Sequence, residues 1–163
     1  MYNQKIEEDI FEFFGESHDR FGFPERMWRI TSMRGGESYF INGSEKCAIY
    51  DCGMAYCGPM TVENIRESLE MSGHDTLDYI LLSHSHYDHM GALPYIKEAF
   101  PDAIVVGSEK CAKILERPNA KKLIQDLGIV ARDLYTPGSD LEIKTNYLEV
   151  EQIVHEGDVI SLG

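Results

Sequence analysis

Positive charge is scarce in this chain: 15 Lys and Arg stand against 28 Asp and Glu, for a formal charge of −13 over 163 residues. A surface of that sign repels a phosphate backbone, which disfavours general nucleic-acid binding. Bound divalent metals would reverse that sign locally. Cysteine is sparse too. Cys47, Cys52, Cys57 and Cys111 form no CxxC pair, so neither a zinc ribbon nor a redox dithiol is signalled. They are expected to be buried, reduced thiols; the alternative is a second metal or redox role for Cys47, Cys52 and Cys57 if a loop folds back. No run reaches the ~18 apolar residues of a membrane span. The acidic stretch from Met1 to Asp9 lacks the basic region and apolar core of a secretory signal. The expectation is a cytoplasmic protein without membrane contact. Gly35-Gly36 belongs to no GxGxxG and precedes no Lys-Ser/Thr pair, so it reads as a tight turn and not a phosphate loop.

What is present suffices for one domain, with 43% hydrophobic residues to build a core. From Lys5 to Phe14, Ile6, Ile10, Phe11, Phe13 and Phe14 recur mainly at helical spacing, which predicts an amphipathic helix stopped by Gly15. Three strand-like runs follow, Met27 to Met33, Ser38 to Ile41 and Cys47 to Tyr50, as a β-meander. Thr61 to Ser72 predicts a helix with Thr61 as N-cap, Asn64 at the capping-box position and Gly73 as its stop. Leu77 to Ser83 reads as a short strand buried on both faces. A helix from Gly91 to Phe100 and a buried strand from Ala103 to Val106 come next. Ser108 caps a helix to about Leu115, and Pro118 opens another with Ala120, Leu123, Ile124 and Leu127 along one face. Thr136-Pro137-Gly138-Ser139 ends the helical region. Tyr147 to Val154 and Val159 to Leu162 are expected as closing strands around Glu156-Gly157-Asp158.

The chemistry concentrates in His84-Ser85-His86-Tyr87-Asp88-His89, directly after the strand at Tyr79 to Leu82. On extended backbone residues 84 and 86 project to the same side. A turn near Tyr87 swings Asp88 and His89 towards them, making a cup with two imidazoles on one rim and a carboxylate plus an imidazole on the other. Three imidazoles and a carboxylate suit Zn2+ first, with Fe2+ or Mn2+ as alternatives, whereas Mg2+ and Ca2+ ask for oxygen ligands. The bland alternative is a solvated polar turn. Tyr87 is expected to pack as an aromatic lid, with contact to substrate as the other role. His18 and His74 read as surface residues and His155 as a residue of an outer strand.

This strand, His84-x-His86-x-Asp88-His89 and Gly91 together resemble the metallo-β-lactamase superfamily, whose signature is an HxHxDH motif after a buried strand. Asp51, ending Cys47-Ala48-Ile49-Tyr50, looks like that family's strand-end Asp beneath the metals. Glu156 to Gly163 is similar to the stretch preceding its third motif. The resemblance runs from about Met27 onward. It implies an α/β fold of the αββα sandwich type, of which the chain supplies about the first half. His84 and His86 would bind one metal and Asp88 and His89 a second, each completed by a later His, with a later Asp bridging. Those later residues are not found in the chain, and a sheet without its partner leaves an apolar face uncovered. The expectation is therefore a fragment that pairs with the missing half or with a second copy.

The implied activity is metal-assisted hydrolysis of an ester, thioester, lactone, other acyl compound or phosphodiester of a small-molecule substrate, by a dinuclear site in the intact protein. Asp88 is the candidate for orienting the nucleophilic water while binding a metal. Asp51 would set ligand geometry by hydrogen bonding, with a plain strand-end turn as its alternative. A rival resemblance is to the flavodiiron oxygen and nitric-oxide reductases, which carry Glu where His86 stands. A second rival is a non-catalytic, weakly metal-binding half. True β-lactam hydrolysis is disfavoured, because those enzymes act outside the cytoplasm.

Overall fold

The computed structural model describes residues 26–163. The amphipathic stretch from Lys5 to Phe14 and His18 lie outside them. Among the described residues the chain opens with an antiparallel meander, β1 (Met27–Arg29), β2 (Tyr39–Asn42) and β3 (Cys47–Tyr50), as its turn signals predict. From β3 onward the strands run parallel, which requires crossover connections. The 15-residue helix α1 (Gly58–Ser72) leads to β4 (Tyr79–Leu81), and α2 (Tyr87–Met90) with α3 (Leu93–Ala99) leads to β5 (Ile104–Ser108). Helices α4 (Glu109–Leu115) and α5 (Pro118–Tyr135) return the chain to β6 (Gln152–Val154). The six strands form one mixed sheet in sequential order, β1 to β6.

Side-chain alternation divides that sheet into two unlike faces. Phe40, Ile49, Ile80 and Val105 lie opposite one another in register, and all four are fully buried. They share one core with Ile65 and Leu69 of α1, Leu93 and Ile96 of α3, and Cys111 and Leu115 of α4. Each such aliphatic or aromatic side chain contributes about 1.5–3 kcal/mol. The opposite face carries Ile41, Tyr50, Tyr79, Leu81 and Ile104, of which Tyr50 is 40% and Ile104 39% exposed. The β4 run is therefore buried on one face only, because Tyr79 and Leu81 point to the open side.

Several boundaries differ from the sequence expectation. Strand β1 stops at Arg29: Ile30 N still donates to Ser38 O at 2.9 Å, but Ser38 N then goes to the Thr31 hydroxyl at 2.8 Å, which takes the place of the next ladder bond. Helix α1 begins at Gly58, with Pro59 in its first turn. Thr61 is accordingly no cap: it is buried, with Oγ1 3.3 Å from Ser32 Oγ. Asn64, expected in a capping box, donates from Nδ2 to Ile30 O at 3.0 Å and ties α1 to the end of β1. The helix expected from Gly91 to Phe100 is α3, which begins only at Leu93, and the separate single turn α2 precedes it at Tyr87–Met90. Ser108 does cap α4, accepting from Cys111 N at 3.2 Å. In α5 the buried stripe is Ile124, Gly128 and Ala131, and Leu123 is 57% exposed. The small residues lead because they let the helix approach Ile143 and Ala55. Only Gln152–Val154 of the run from Tyr147 is strand; Tyr147 sits at φ 58°, which breaks the ladder. Val159 to Leu162 is no strand, and joins the β2–β3 turn through Leu162 O, which accepts from Glu45 N at 3.0 Å and Lys46 N at 3.1 Å.

Candidate metal centre

The site lies at the carboxyl ends of β3 and β4, where parallel strands leave backbone groups and side chains open to a ligand. Strand β4 ends because its next donor is diverted. Leu82 N still pairs with Val106 O at 2.8 Å, but Ser83 N donates to Asp51 Oδ1 at 2.8 Å. The chain stays extended to His86 (φ −75°, ψ 147°), and the His86 carbonyl then accepts from His89 N and Met90 N, both at 3.1 Å, to close the single turn α2. That turn brings His89 back over His84.

Backbone contacts from two neighbouring loops hold the turn. Cys52 N donates to His89 O at 2.7 Å, and Ala92 N to Gly53 O at 3.1 Å. A Cβ at Gly91 would stand 2.6 Å from Ala55 N, so only glycine permits this approach. The Gly35-Gly36 turn reaches the same place: at Gly36 (φ +60°) a Cβ would fall on the carbonyl oxygen of Asp88, and 2.7 Å from its carbon. The pair is a tight turn, as its sequence suggests, and it is pressed against the histidine motif.

Four side chains converge there. Ring centroids of His84 and His86 are 4.4 Å apart and those of His84 and His89 4.2 Å apart. Asp88 Oδ2 lies 3.6 Å from His89 Nε2. His84 thus stands as close to His89 as to His86, and the three rings gather beside Asp88 without separating into two rims. Together they form one wall of a cup and no closed cage: among the described residues, no three His, Cys, Asp or Glu side chains have their donors drawn up for an ion. The donor chemistry nonetheless fits a borderline transition ion. Burial, and then the neighbouring His89 and His86, hold the His84 pKa below the usual imidazole value, favouring the neutral, lone-pair form.

Beneath the wall sits Asp51, 3% exposed and at φ 58°. Its conformation is held on every side. Asp51 N donates to Leu81 O at 2.8 Å, its own carbonyl accepts from the buried Ser38 hydroxyl at 2.8 Å, and its carboxylate takes three donors. These are Ser83 N on Oδ1, with Ser83 Oγ at 2.7 Å and His89 Nδ1 at 2.8 Å on Oδ2. The Asp51–His89 bond directs His89 Nε2 outward, towards Asp88. Asp51 is therefore much more than a strand-end turn residue.

Other candidates fall away from the wall. Tyr87 is half-buried and packs against the core, consistent with a packing role. His74 bonds Asn42 Oδ1 at 2.9 Å at the opposite end of the sheet, and exposed His155 faces Asp158 after β6. All four cysteines are buried and free. Burial raises the Cys47 and Cys57 thiols to about 11. Sequence reasoning passed over Ser83, whose hydroxyl lies 2.8 Å from His84 Nδ1; its position directly before the motif was the available signal. No helix among the described residues is long and apolar enough to cross a membrane.

The chain has relatives in sequence and in fold among known proteins. The chain is 26% identical to a coenzyme F420H(2) oxidase of Methanocaldococcus jannaschii over 85% of its length and 28% of the relative's. It is 26% identical to an atrochrysone carboxyl ACP thioesterase of Cryptosporiopsis sp., over 78% of this chain and 39% of that one. The solved structure of a subclass B3 metallo-beta-lactamase of Bradyrhizobium japonicum superposes with a TM-score of 0.56 at 24% identity, covering 86% of this chain and 49% of that chain. The chain thus spans half or less of the length of each, and its mixed sheet with its helices corresponds to about half of the sandwich. The family profile of the metallo-beta-lactamase superfamily matches residues 33–160, a span that holds β2 to β6, the crossovers and the whole histidine wall. On fold, motif and profile together, the chain belongs to the metallo-beta-lactamase superfamily.

Proposed function

We propose that this chain supplies the histidine wall of a metal-dependent hydrolase that cleaves an ester, thioester, lactone or related bond in a small molecule. The observation that carries the reading is the meeting of His84, His86 and His89 beside Asp88, with the His84 ring centroid 4.4 Å from that of His86 and 4.2 Å from that of His89. Zinc is the first candidate, two ions per complete site, with iron or manganese as alternatives. Bound ions would supply an acidified water and polarise the scissile carbonyl.

The remaining work falls to the chain's own residues. His84 and His86 bind one ion, and Asp88 and His89 the other. Asp88 also accepts a hydrogen bond from the attacking water and so orients it. Asp51 keeps His89 from rotating, through the 2.8 Å bond to Nδ1. The thioesterase relative supports the acyl-transfer class. Residues 1–163 are read as the first half of the catalytic domain. The further ligands would come from the other half, seated with its sheet on the open face of Tyr50, Leu81 and Ile104, or from a second copy. By itself this polypeptide is a weak catalyst, since metal affinity depends on complete ligand sets.

The resemblance to an F420H(2) oxidase favours one second reading, a redox metal domain. Elemental analysis of the purified chain, with thioester, ester and lactone assays, tests both. The hydrolase reading expects zinc that is lost in His84→Ala and His86→Ala, and weak hydrolysis abolished by His86→Ala. Iron with oxygen consumption selects the redox reading. Equal metal content in wild type and both variants refutes the site.

A further inference from the structure

We propose that Ser83 is a positioning residue that relays the acceptor character of buried Asp51 to His84, so that one carboxylate fixes the tautomer of two histidines and turns both Nε2 atoms outward. The inference rests on reading the histidine wall as a metal site, but its first test does not. Ser83 Oγ carries a single hydrogen and has two partners, Asp51 Oδ2 at 2.7 Å and His84 Nδ1 at 2.8 Å.

A carboxylate only accepts, and the Asp51 group stands among donors: Ser83 N on Oδ1 and His89 Nδ1 on Oδ2, each at 2.8 Å. The Ser83 proton therefore goes to Asp51. The hydroxyl then meets His84 with a lone pair, and His84 Nδ1 must carry the ring hydrogen. A neutral imidazole has one N–H, so the lone pair of His84 falls on Nε2. His89 reaches the same state by direct contact with Asp51. Two ring nitrogens that could each have pointed either way are thus set alike by one group 3% exposed to solvent.

The short reach of serine makes the relay specific. Ser83 also gives its backbone N–H to Asp51, so the residue bites the carboxylate through two donors and its Oγ has little freedom. Threonine retains the hydroxyl. Alanine retains the backbone bond and removes the relay alone.

The test uses the full chain with 15N-labelled histidine, metal-free and at about pH 8, above the ordinary imidazole range. Long-range 15N–1H correlation spectra report which nitrogen carries the hydrogen. Wild type and Ser83→Thr are expected to show His84 protonated on Nδ1. Ser83→Ala is expected to lose that preference at His84 while His89 stays protonated on Nδ1. Zinc titration against a chelating dye then expects about tenfold weaker binding in Ser83→Ala and near wild-type binding in Ser83→Thr. His84 protonated on Nε2 in wild type, or a tautomer unchanged in Ser83→Ala, overturns the relay. The expected tautomers in wild type and Ser83→Ala, together with a wild-type chain that takes up no zinc, support the relay and refute the metal reading instead.

Discussion

Replacing Gly36 with alanine separates two costs that are usually entangled. The first is conformational: at φ +60° an L side chain is strained by about 1–2 kcal/mol, offset in part by the lower entropy of the unfolded alanine chain. The second is steric, because the new Cβ would fall on the Asp88 carbonyl and lie 2.7 Å from its carbon and 3.0 Å from Gly53 Cα. Both neighbours are backbone, so the turn or the motif must retreat by roughly an ångström, and overpacking of this kind costs about 1–3 kcal/mol. Gly73 supplies the control. It sits at φ +77° with nothing within 4 Å of a built Cβ, so Gly73→Ala carries the strain alone. Urea unfolding monitored by circular dichroism is expected to place Gly36→Ala about 1–3 kcal/mol below Gly73→Ala. Zinc affinity should fall in Gly36→Ala only, since it displaces Asp88 and His89. If the two variants unfold within about 0.5 kcal/mol of each other and bind zinc equally, the pressed turn does not position the site.

Lys97 is 7% exposed and its Nζ donates to Pro101 O at 2.9 Å, Ala103 O at 2.8 Å and both Glu151 oxygens at 3.1 Å. Lys97→Met strands two carbonyls and a carboxylate, for an expected loss of about 2–4 kcal/mol in urea unfolding; a loss under about 0.5 kcal/mol rejects that estimate. Asp51→Asn keeps a residue that tolerates positive φ but puts an amide among three donors. It should therefore weaken zinc binding by at least about tenfold while the fold survives, and unchanged affinity on titration would show that Asp51 does not orient the ligands. The thiols of Cys47 and Cys57, raised by burial to about 11, stay protonated in the folded chain while unfolded thiols ionise from about 9. The folded state then binds more protons, so stability is intact below about pH 9 and declines towards about pH 11. Urea midpoints that stay flat across that range contradict it. Charging the open sheet face with Tyr50→Lys and Ile104→Lys should reduce binding of an apolar dye and any self-association seen by light scattering, and no change in either would mean the face attracts nothing.

The histidine motif, the strand before it, the β3-end Asp51 and the alternation of strands and helices were legible in the chain itself, because they depend on local spacing. HxHxDH on an extended segment followed by a turn places His84 and His86 on one side of the chain by local spacing alone. Ser108 as a cap and Pro118 as a helix start were equally local. What the tertiary structure decided was whatever depends on contact between distant segments. The start of α1 moved to Gly58 because Thr61 was drawn towards Ser32 and Asn64 towards Ile30. The inner stripe of α5 passed to Ile124, Gly128 and Ala131 because a close approach to Ile143 and Ala55 favours small side chains over Leu123. Ser83 acquired a role only when Asp51, 32 residues earlier, was folded beneath it. A hydrogen-bond relay exists between residues brought together in space, and no periodicity along the chain encodes it; the candidate donor types could be read from sequence, but the orientation of their nitrogens needed the fold.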